Sequence, residues 1–307
     1  MIARRTGVVL LAFAATFAVA APAEAALNVF ACEPEWGALA SELGGEDVSV
    51  FVATTARQDP HQIQARPALI ARLRNADIAV CTGAELEIGW LPVLLRQGSN
   101  ARVQPGTPGY FEATQQVKLL EVPTRLDRAE GDIHPQGNPH IQGDPRNMRI
   151  VAAALAQRFA QIDPARAAAY ARRAGAFDAK LVQAIQRWQA EARPLYGTNV
   201  VIYHKEWIYL FSWLGMNEVA TIEPKPGVPP GAAYLSQLLD DIPKRQAKAI
   251  VYAAYQDPRA PDFLAEKTRV PAVMLPFTVG GSDAAKDLFG LYDDTIRRLL
   301  AVVGAHG

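Results

Sequence analysis

The sequence predicts an α/β protein of two lobes, each a mainly parallel sheet with flanking helices, joined by one long rigid backbone helix. Three observations carry that expectation. Short apolar strands alternate with helices from residue 27 to about 120, the pattern of a parallel sheet with helical crossovers. The same rhythm returns from Asn199 to the C-terminal helix. Between the two, Ala165 to about Ala192 is almost unbroken helix former with no interior proline, roughly 28 residues or ~40 Å at 1.5 Å per residue. Its apolar positions (Tyr170, Ala174, Phe177, Leu181, Ala184, Ile185, Trp188) follow a three- and four-residue spacing along one stripe. With no partner helix in sight, a strut between lobes fits better than a coiled coil.

In chain order, residues 1–25 read as a secretory signal peptide. Arg4 and Arg5 form its positive start, and Val8 to Ala21 is an apolar stretch too short for a membrane span of ~20 residues. Ala23-Glu24-Ala25 is an Ala-x-Ala cleavage site, which argues against a retained anchor. The first strand is Leu27–Ala31, followed by a helix near 35–43 with Trp36, Leu39 and Leu43 at helical spacing and Gly44-Gly45 at its end. Val48–Val52 is a strand. A helix over 66–75 has Pro67 in its first turn, strand 77–81 follows, and a helix runs through Leu86, Trp90, Leu91 and Leu94. Residues 123–147 are loop-like, and Asp144-Pro145 opens a helix reaching about 160. Beyond the strut come strand Asn199–Tyr203, helix 205–214 stopped by Gly215, strand 218–222, a proline-rich turn from Glu223 to Pro230 and helix 232–241. Strand 248–253, helix 259–267, strand 271–275 and a last helix over 284–302 complete the chain. The expected division is a signal peptide at 1–25, an N-terminal metal-binding lobe at 26–163, a connecting helix at 164–193 and a C-terminal metal-binding lobe at 194–307. At ~150 residues per domain, 307 residues allow each lobe its own core.

Composition excludes several classes of function. Lys+Arg and Asp+Glu stand at 31 each, so there is no basic footprint for nucleic acid and no polybasic membrane patch. Loss of residues 1–25 would leave a net charge of −1, with 29 basic and 30 acidic residues. Two cysteines make neither a disulfide-dense scaffold nor a cysteine-rich zinc module. Cys32 and Cys81 each end a short buried strand, and an exported protein permits a disulfide between them. Two buried free thiols remain the alternative, because the Cα separation is not readable from sequence. No HExxH helix, nucleophile elbow, phosphate loop or dinucleotide fingerprint is present.

If the protein binds a metal, its five histidines and some carboxylates must do it. His61 follows the second strand and His204 the strand 199–203, and sites in open α/β sheets gather beyond the carboxyl ends of strands. His134 and His140 share the long loop, and His306 is at the C-terminus. Neutral imidazoles converging in a cleft suit four-coordinate Zn2+. Their wide spacing rules out a local finger, and on spacing alone the signal is weak.

The local motifs are more specific. Asp59-Pro60-His61-Gln62-Ile63-Gln64-Ala65-Arg66-Pro67 resembles the first ligand loop of the metal-binding proteins of zinc and manganese ABC transporters. Asn138-Pro139-His140 through Asp144-Pro145-Arg146-Asn147 is similar to their second, and Tyr203-His204-Lys205-Glu206-Trp207 to their third. Asn75-Ala76-Asp77-Ile78-Ala79-Val80, Gly83-Ala84-Glu85-Leu86-Glu87 and Glu223-Pro224-Lys225-Pro226-Gly227 add further matches in the same order. The resemblance covers essentially the whole chain after the signal. It implies a periplasmic solute-binding protein, not an enzyme, holding one metal ion between two lobes for an inner-membrane ABC permease, with a monomer expected. Carried over position by position, the ligands are His61, His140 and His204. A third histidine, where manganese members of the family tend to carry a carboxylate, implies Zn2+ over Mn2+, in line with imidazole chemistry. Affinity is then expected to fall as pH drops through imidazole titration near ~6.5.

Two departures from the family stand out. Val279 occupies the place where a fourth ligand, an aspartate, is often found. Asp283 is the nearest carboxylate, either as fourth ligand or, with Ser282, as the cap of the last helix, in which case a water or a three-coordinate site would complete the picture. The long His-rich acidic loop of many zinc members is reduced here to Asp127, Glu130, Asp132 and His134, so His134 is the one candidate loop contact to metal, against a solvated loop residue. Glu206 is a candidate acceptor behind a ligand imidazole, against a surface helix carboxylate; Glu85 and Glu87 read as solvated or helix-start groups. Trp207, Tyr209, Phe211 and Trp213 read as core. The competing functions are a manganese or iron carrier of the same transporter class, a periplasmic zinc hydrolase, which lacks a convincing general base here, and a metal chaperone that delivers to an apo-protein instead of a permease.

Overall fold

The structure is a computed structural model that describes residues 26–125, 131 and 133–304. The expected signal peptide, Asp127, Glu130, Asp132 and His306 lie outside the described residues. Two four-stranded parallel sheets form the frame. In the first, β1 (Leu27–Ala31) and β3 (Ile78–Cys81) lie between β2 (Val48–Val52) and β4 (Tyr110–Glu112), in the order β2-β1-β3-β4. In the second, β5 (Asn199–Ile202) and β7 (Ala249–Ala253) lie between β6 (Asn217–Thr221) and β8 (Ala272–Leu275), in the order β6-β5-β7-β8. The two orders are the same although the sequences show no repeat. Ile78–Cys81 is buried at every position while Val48–Val52 stays partly open, as expected of an apolar strand covered on both faces and of an edge strand.

Helices α1 (Pro34–Gly44), α2 (Pro67–Arg74), α3 (Leu91–Gly98) and α4 (Pro145–Ile162) accompany the first sheet. Helices α6 (Ile208–Leu214), α7 (Ala232–Lys244), α8 (Arg259–Thr268) and α9 (Leu288–Gly304) accompany the second. The long helix α5 (Ala167–Glu191) joins the lobes, and its stripe Tyr170, Phe177, Leu181, Ala184, Ile185 and Trp188 is buried. That stripe does more than bridge. One apolar core runs from β1 and α1 through α4 and α5 to α6, α9 and the second sheet. Separate clusters lie only on the outer faces, under α2 and α3 in one lobe and under α7 and α8 in the other. The expectation of one self-contained core per lobe is corrected to a shared central core with two outer layers.

Three local differences from the sequence reading have physical causes. Strand β4 is three residues long and lacks an apolar run; it fits against β3 because Gly109, beside it, lets backbone approach where a Cβ would come within 2.6 Å of the Asp77 carbonyl. The helix read through Leu86 begins only at Leu91. Gly83, Ala84 and Glu85 take positive φ of 84°, 50° and 65°, which no helix tolerates. The last helix begins at Leu288, where the Asp287 carboxylate accepts the Gly290 N–H at 2.8 Å. The cap therefore belongs to Asp287 and not to Ser282 or Asp283, because the turn 281–287 delays the helix.

Candidate metal centre

Each histidine is fixed by the short polar turn that precedes or follows it. After β2, the Asp59 carboxylate accepts both the backbone N–H of His61 at 3.0 Å and its Nδ1–H at 2.8 Å. The Asp-Pro-His sequence thus orients its own imidazole. In the long loop, Asn138 Oδ1 accepts the His140 N–H at 3.0 Å, while its Nδ2 donates to the Lys205 carbonyl at 2.8 Å. Tyr209 donates to the Asn138 carbonyl at 2.7 Å, so the His140 loop is moored to the second lobe. Asp144 then caps α4 by accepting the Arg146 N–H at 2.8 Å. After β5, His204 donates from Nδ1 to Glu223 Oε2 at 2.7 Å, and the Gly227 N–H of the proline-rich turn steadies the same oxygen at 2.9 Å. Trp207, Tyr209, Phe211 and Trp213 behind it are buried, as read from sequence.

These turns bring three rings together. The centroids of His61, His140 and His204 lie 5.3, 5.5 and 5.6 Å apart. One nitrogen from each falls within 4.8 Å of the other two. Tetrahedral zinc with bonds of ~2.05 Å would place such nitrogens about 3.4 Å apart, a contraction within reach of small rotamer shifts. His140 is 1% exposed and stands with its ring edge against Phe277 at 5.5 Å. His134 joins the group from the long loop, with its ring 5.4 Å from that of His61 and 6.3 Å from that of His140. Its Nδ1 donates to the Ala84 carbonyl at 3.0 Å. It is therefore not a solvated loop residue.

The hydrogen bonds set the tautomers. A carbonyl or carboxylate oxygen can only accept here, so Nδ1 carries a proton in His61, His134 and His204, which leaves Nε2 as the ligating nitrogen of each ring in its neutral form. Nε2 of His61 and His134 and both ring nitrogens of His140 are buried without a partner. Burial, and then the charges of neighbouring imidazoles, hold the His140 pKa well below the usual value and bring His134 to about 4. These two rings are thus neutral, ready to ligate, well below the expected ~6.5. Burial acts to raise the Asp59 carboxyl, but the bond and charge of His61 outweigh it and hold it low. A cavity of about 210 Å³ opens on one side, lined by Asp59, His61, Tyr203, His204, Glu223 and Gln256. On the other side a cavity of about 360 Å³ is lined by His134, His140, His204, Lys205 and Glu121.

Other expectations are corrected. Asp283 is exposed on the turn before α9 and stands outside the histidine cluster. Val279 packs against the shared core. Glu206 is neither a surface carboxylate nor the acceptor behind His204: it is 1% exposed, with Oε1 accepting from Gln256 at 2.9 Å. The acceptors behind ligand candidates are Asp59 and Glu223, which sequence reading quoted only as parts of motifs. Their proximity to a histidine, two residues away and nineteen away, is visible in advance only for Asp59. Cys32 and Cys81, both fully buried at the ends of β1 and β3, are joined in a disulfide with a Cα separation of 4.8 Å. Glu87, read as a solvated or helix-start carboxylate, is 3% exposed in the turn after β3. No described helix is long and apolar enough to cross a membrane.

Comparison with known proteins places this geometry. A family model described as ZnuA, zinc-uptake complex component A, periplasmic, matches residues 29–302. The high-affinity zinc uptake system protein ZnuA of Brucella abortus (strain 2308) is 28% identical over 160 residues, 52% of this chain and 47% of its own length. The chain thus matches about half the length of that relative. The Yersinia pestis protein of the same name is 22% identical over 223 residues, covering 69% of this chain and 70% of its own. A crystal structure of ZnuA superposes with a TM-score of 0.72 at 21% identity, over 89% of this chain and 99% of that one. A Mn-bound periplasmic metal binding protein from Candidatus Liberibacter asiaticus superposes equally well, TM-score 0.72, at 16% identity over 90% and 98%. At such identities the structural likeness is one of fold.

Proposed function

The chain belongs to the ZnuA family, the periplasmic component A of zinc-uptake complexes, and from that premise we propose that it captures one Zn2+ with His61, His140 and His204 and delivers it to an inner-membrane ABC permease. It is an uptake component and not an enzyme. Residues 1–25 serve as its export signal, and it works as a monomer. The observation that supports the ligand set is the arrangement of lone pairs. Four imidazoles crowd one cleft, and three of them are held by Nδ1 so that Nε2 is free to ligate. His134 takes the fourth position, since its Nε2 is buried without a partner beside His61.

An all-imidazole set suits Zn2+, whereas Mn2+ prefers carboxylate oxygen. The two carboxylates nearest the site, Asp59 and Glu223, are engaged by ligand imidazoles. Metal analysis and competitive titration of the purified protein are expected to give one tight Zn2+ per chain and manganese binding at least ~100-fold weaker. His134→Ala should weaken zinc binding while Asp283→Ala leaves it unchanged. Equal affinity for both metals would overturn the assignment to zinc, and an unaltered His134→Ala protein would remove His134 from the site.

Asp59 and Glu223 have a defined part in this reading. Each holds a ligand ring in its Nδ1–H tautomer and raises the basicity of the other nitrogen. Asp59→Asn and Glu223→Gln should each lower zinc affinity by ~10–100-fold, the usual effect of losing such a partner, with the stoichiometry kept at one. Calorimetric titration of the two variants checks it; unchanged affinities would mean that the rings orient themselves.

A further inference from the structure

Away from the histidines, three carboxylic acids are buried together where β1 and β3 end. Glu33 precedes α1, Glu35 lies in its first turn, and Glu87 is in the turn after β3; they are 2%, 1% and 3% exposed. This is the point at which the strand order β2-β1-β3-β4 changes direction, a place where backbone chains diverge and leave room for side chains. Thr82 sits at the centre. Its hydroxyl donates to Glu33 Oε2 at 3.0 Å and accepts from Trp36 Nε1 at 2.8 Å. Glu87 accepts the backbone N–H groups of Thr82 at 2.7 Å and Gly83 at 3.1 Å. Glu33 Oε1 is buried with no partner.

One bond leaves the lobe. The hydroxyl of Thr278, beyond β8 in the second lobe, donates to Glu35 Oε2 at 2.5 Å across 243 residues of sequence. Phe277, its neighbour, is the ring that stands against His140. The contact therefore joins the floor of the first lobe to the wall of the cleft.

The groups around the cluster are acids and phenols. Glu33 faces Glu35 and Glu87, Tyr110 of β4 faces Glu112 and Glu87, and Tyr292 of α9 faces Asp144 and, less strongly, Glu35. No cation is among the groups that act most strongly on the three carboxyls. An ionised carboxylate buried without a cation is costly, and neighbouring carboxylates cannot all ionise in one site. Burial pushes Glu35 and Glu87 up to about 7, and burial with repulsion from Glu87 and Glu35 carries Glu33 well above its ordinary value. A folded-state pKa raised in this way favours the closed form at low pH. That contribution fades as pH rises from the free carboxyl value of about 4.5 through about 7.

We propose that Glu33, Glu35 and Glu87, with Thr278 of the opposite lobe, form a proton-operated latch: it holds the lobes together while the cluster keeps its protons and loosens as the cluster ionises. The Thr278 bond by itself favours an ionised Glu35, but burial outweighs it, so an ionised Glu35 gains more from water than it loses on parting from Thr278. The latch is a property of lobe contact and does not depend on which metal the histidines take.

Hydrogen exchange by mass spectrometry on the full metal-free chain at pH 6 and pH 8.5, corrected for intrinsic exchange rates, tests it. In the parent, the opening equilibrium of residues 277–285 and 33–37 should rise with pH, about tenfold per pH unit while one proton is being released. Glu35→Gln should flatten that rise, and Thr278→Val should open the segment at both pH values alike. A parent with no rise, or a Glu35→Gln protein with the parent's rise, overturns the latch. Should Glu35→Gln not fold, Glu87→Gln gives the same readout, because it removes one of the charges that drive the opening.

Discussion

Replacing His140 with alanine is expected to weaken zinc binding by more than 100-fold, beyond the ~10–100-fold that removal of an outer hydrogen-bond partner costs. The expectation follows from its position. His140 is the most buried of the four imidazoles and its ring faces those of His61, His134 and His204. Both of its ring nitrogens are buried without a hydrogen bond, an arrangement that costs ~1–3 kcal/mol for each unsatisfied group in a folded protein. A structural histidine would satisfy at least one nitrogen. Truncation removes that penalty and opens a cavity against Phe277, so the two effects on stability oppose each other. The metal-free variant should therefore unfold at a denaturant concentration near that of the parent while its zinc affinity collapses. Zinc titration and urea unfolding of the same preparation separate the outcomes. Tight zinc in His140→Ala would displace the centre from this cleft, and a large loss of stability would make His140 a core residue. His61→Ala and His204→Ala should also lose binding, though each leaves a carboxylate, Asp59 or Glu223, released beside the cleft to compensate in part.

That these three histidines were legible in sequence has a local cause. Each is set by a turn written into adjacent residues: Asp59-Pro60 before His61, Asn138-Pro139 before His140, the strand Asn199–Ile202 before His204. The fold was legible for a similar reason, since strands covered on both faces are apolar at every position and the strut carries its stripe over 25 residues. What escaped reading depends on distant neighbours. Glu87 and Glu206 are charged in sequence and so read as solvated, helix-start or helix-surface groups; only their burial in the fold shows otherwise. Glu223 meets His204 because β5 and β6 are adjacent and parallel, with Ile202 paired to Thr221, a register that no local pattern displays. His134 needed the turn 83–85, whose left-handed residues present the Ala84 carbonyl to its ring. Asp283 was placed too close to the site because the last helix was started four residues early. The shared core was missed because length arithmetic counts residues per domain and says nothing of which faces meet.

The shared core leads to the second large effect. Trp188, on α5, is fully buried among Trp213 of α6 and Phe289 and Tyr292 of α9, with ring centroids at 6.3, 6.2 and 4.9 Å. Its Nε1 donates to Asp293, which also pairs with Arg187 at 2.8 Å. Trp188→Ala should cost ~3–5 kcal/mol, the range for emptying a large aromatic site, against a total stability of order 5–15 kcal/mol for a folded domain. The loss falls on the seat of the strut and not on any ligand, so zinc should still bind the folded fraction. Free zinc at ~1,000 times its dissociation constant returns about 4 kcal/mol through mass action, nearly the whole deficit. Urea unfolding with and without zinc is therefore expected to show a large fall in the midpoint of the metal-free variant and its recovery towards the parent on metal addition. Tyr196→Ala, at a residue 80% exposed beyond the end of the same helix, should leave both midpoints unchanged. If Trp188→Ala cost less than 1 kcal/mol, α5 would be lying on the lobes without being seated in a common core. If zinc failed to restore the midpoint, the strut would be needed to align His204 with the histidines of the first lobe, a role for the helix in binding as well as in stability.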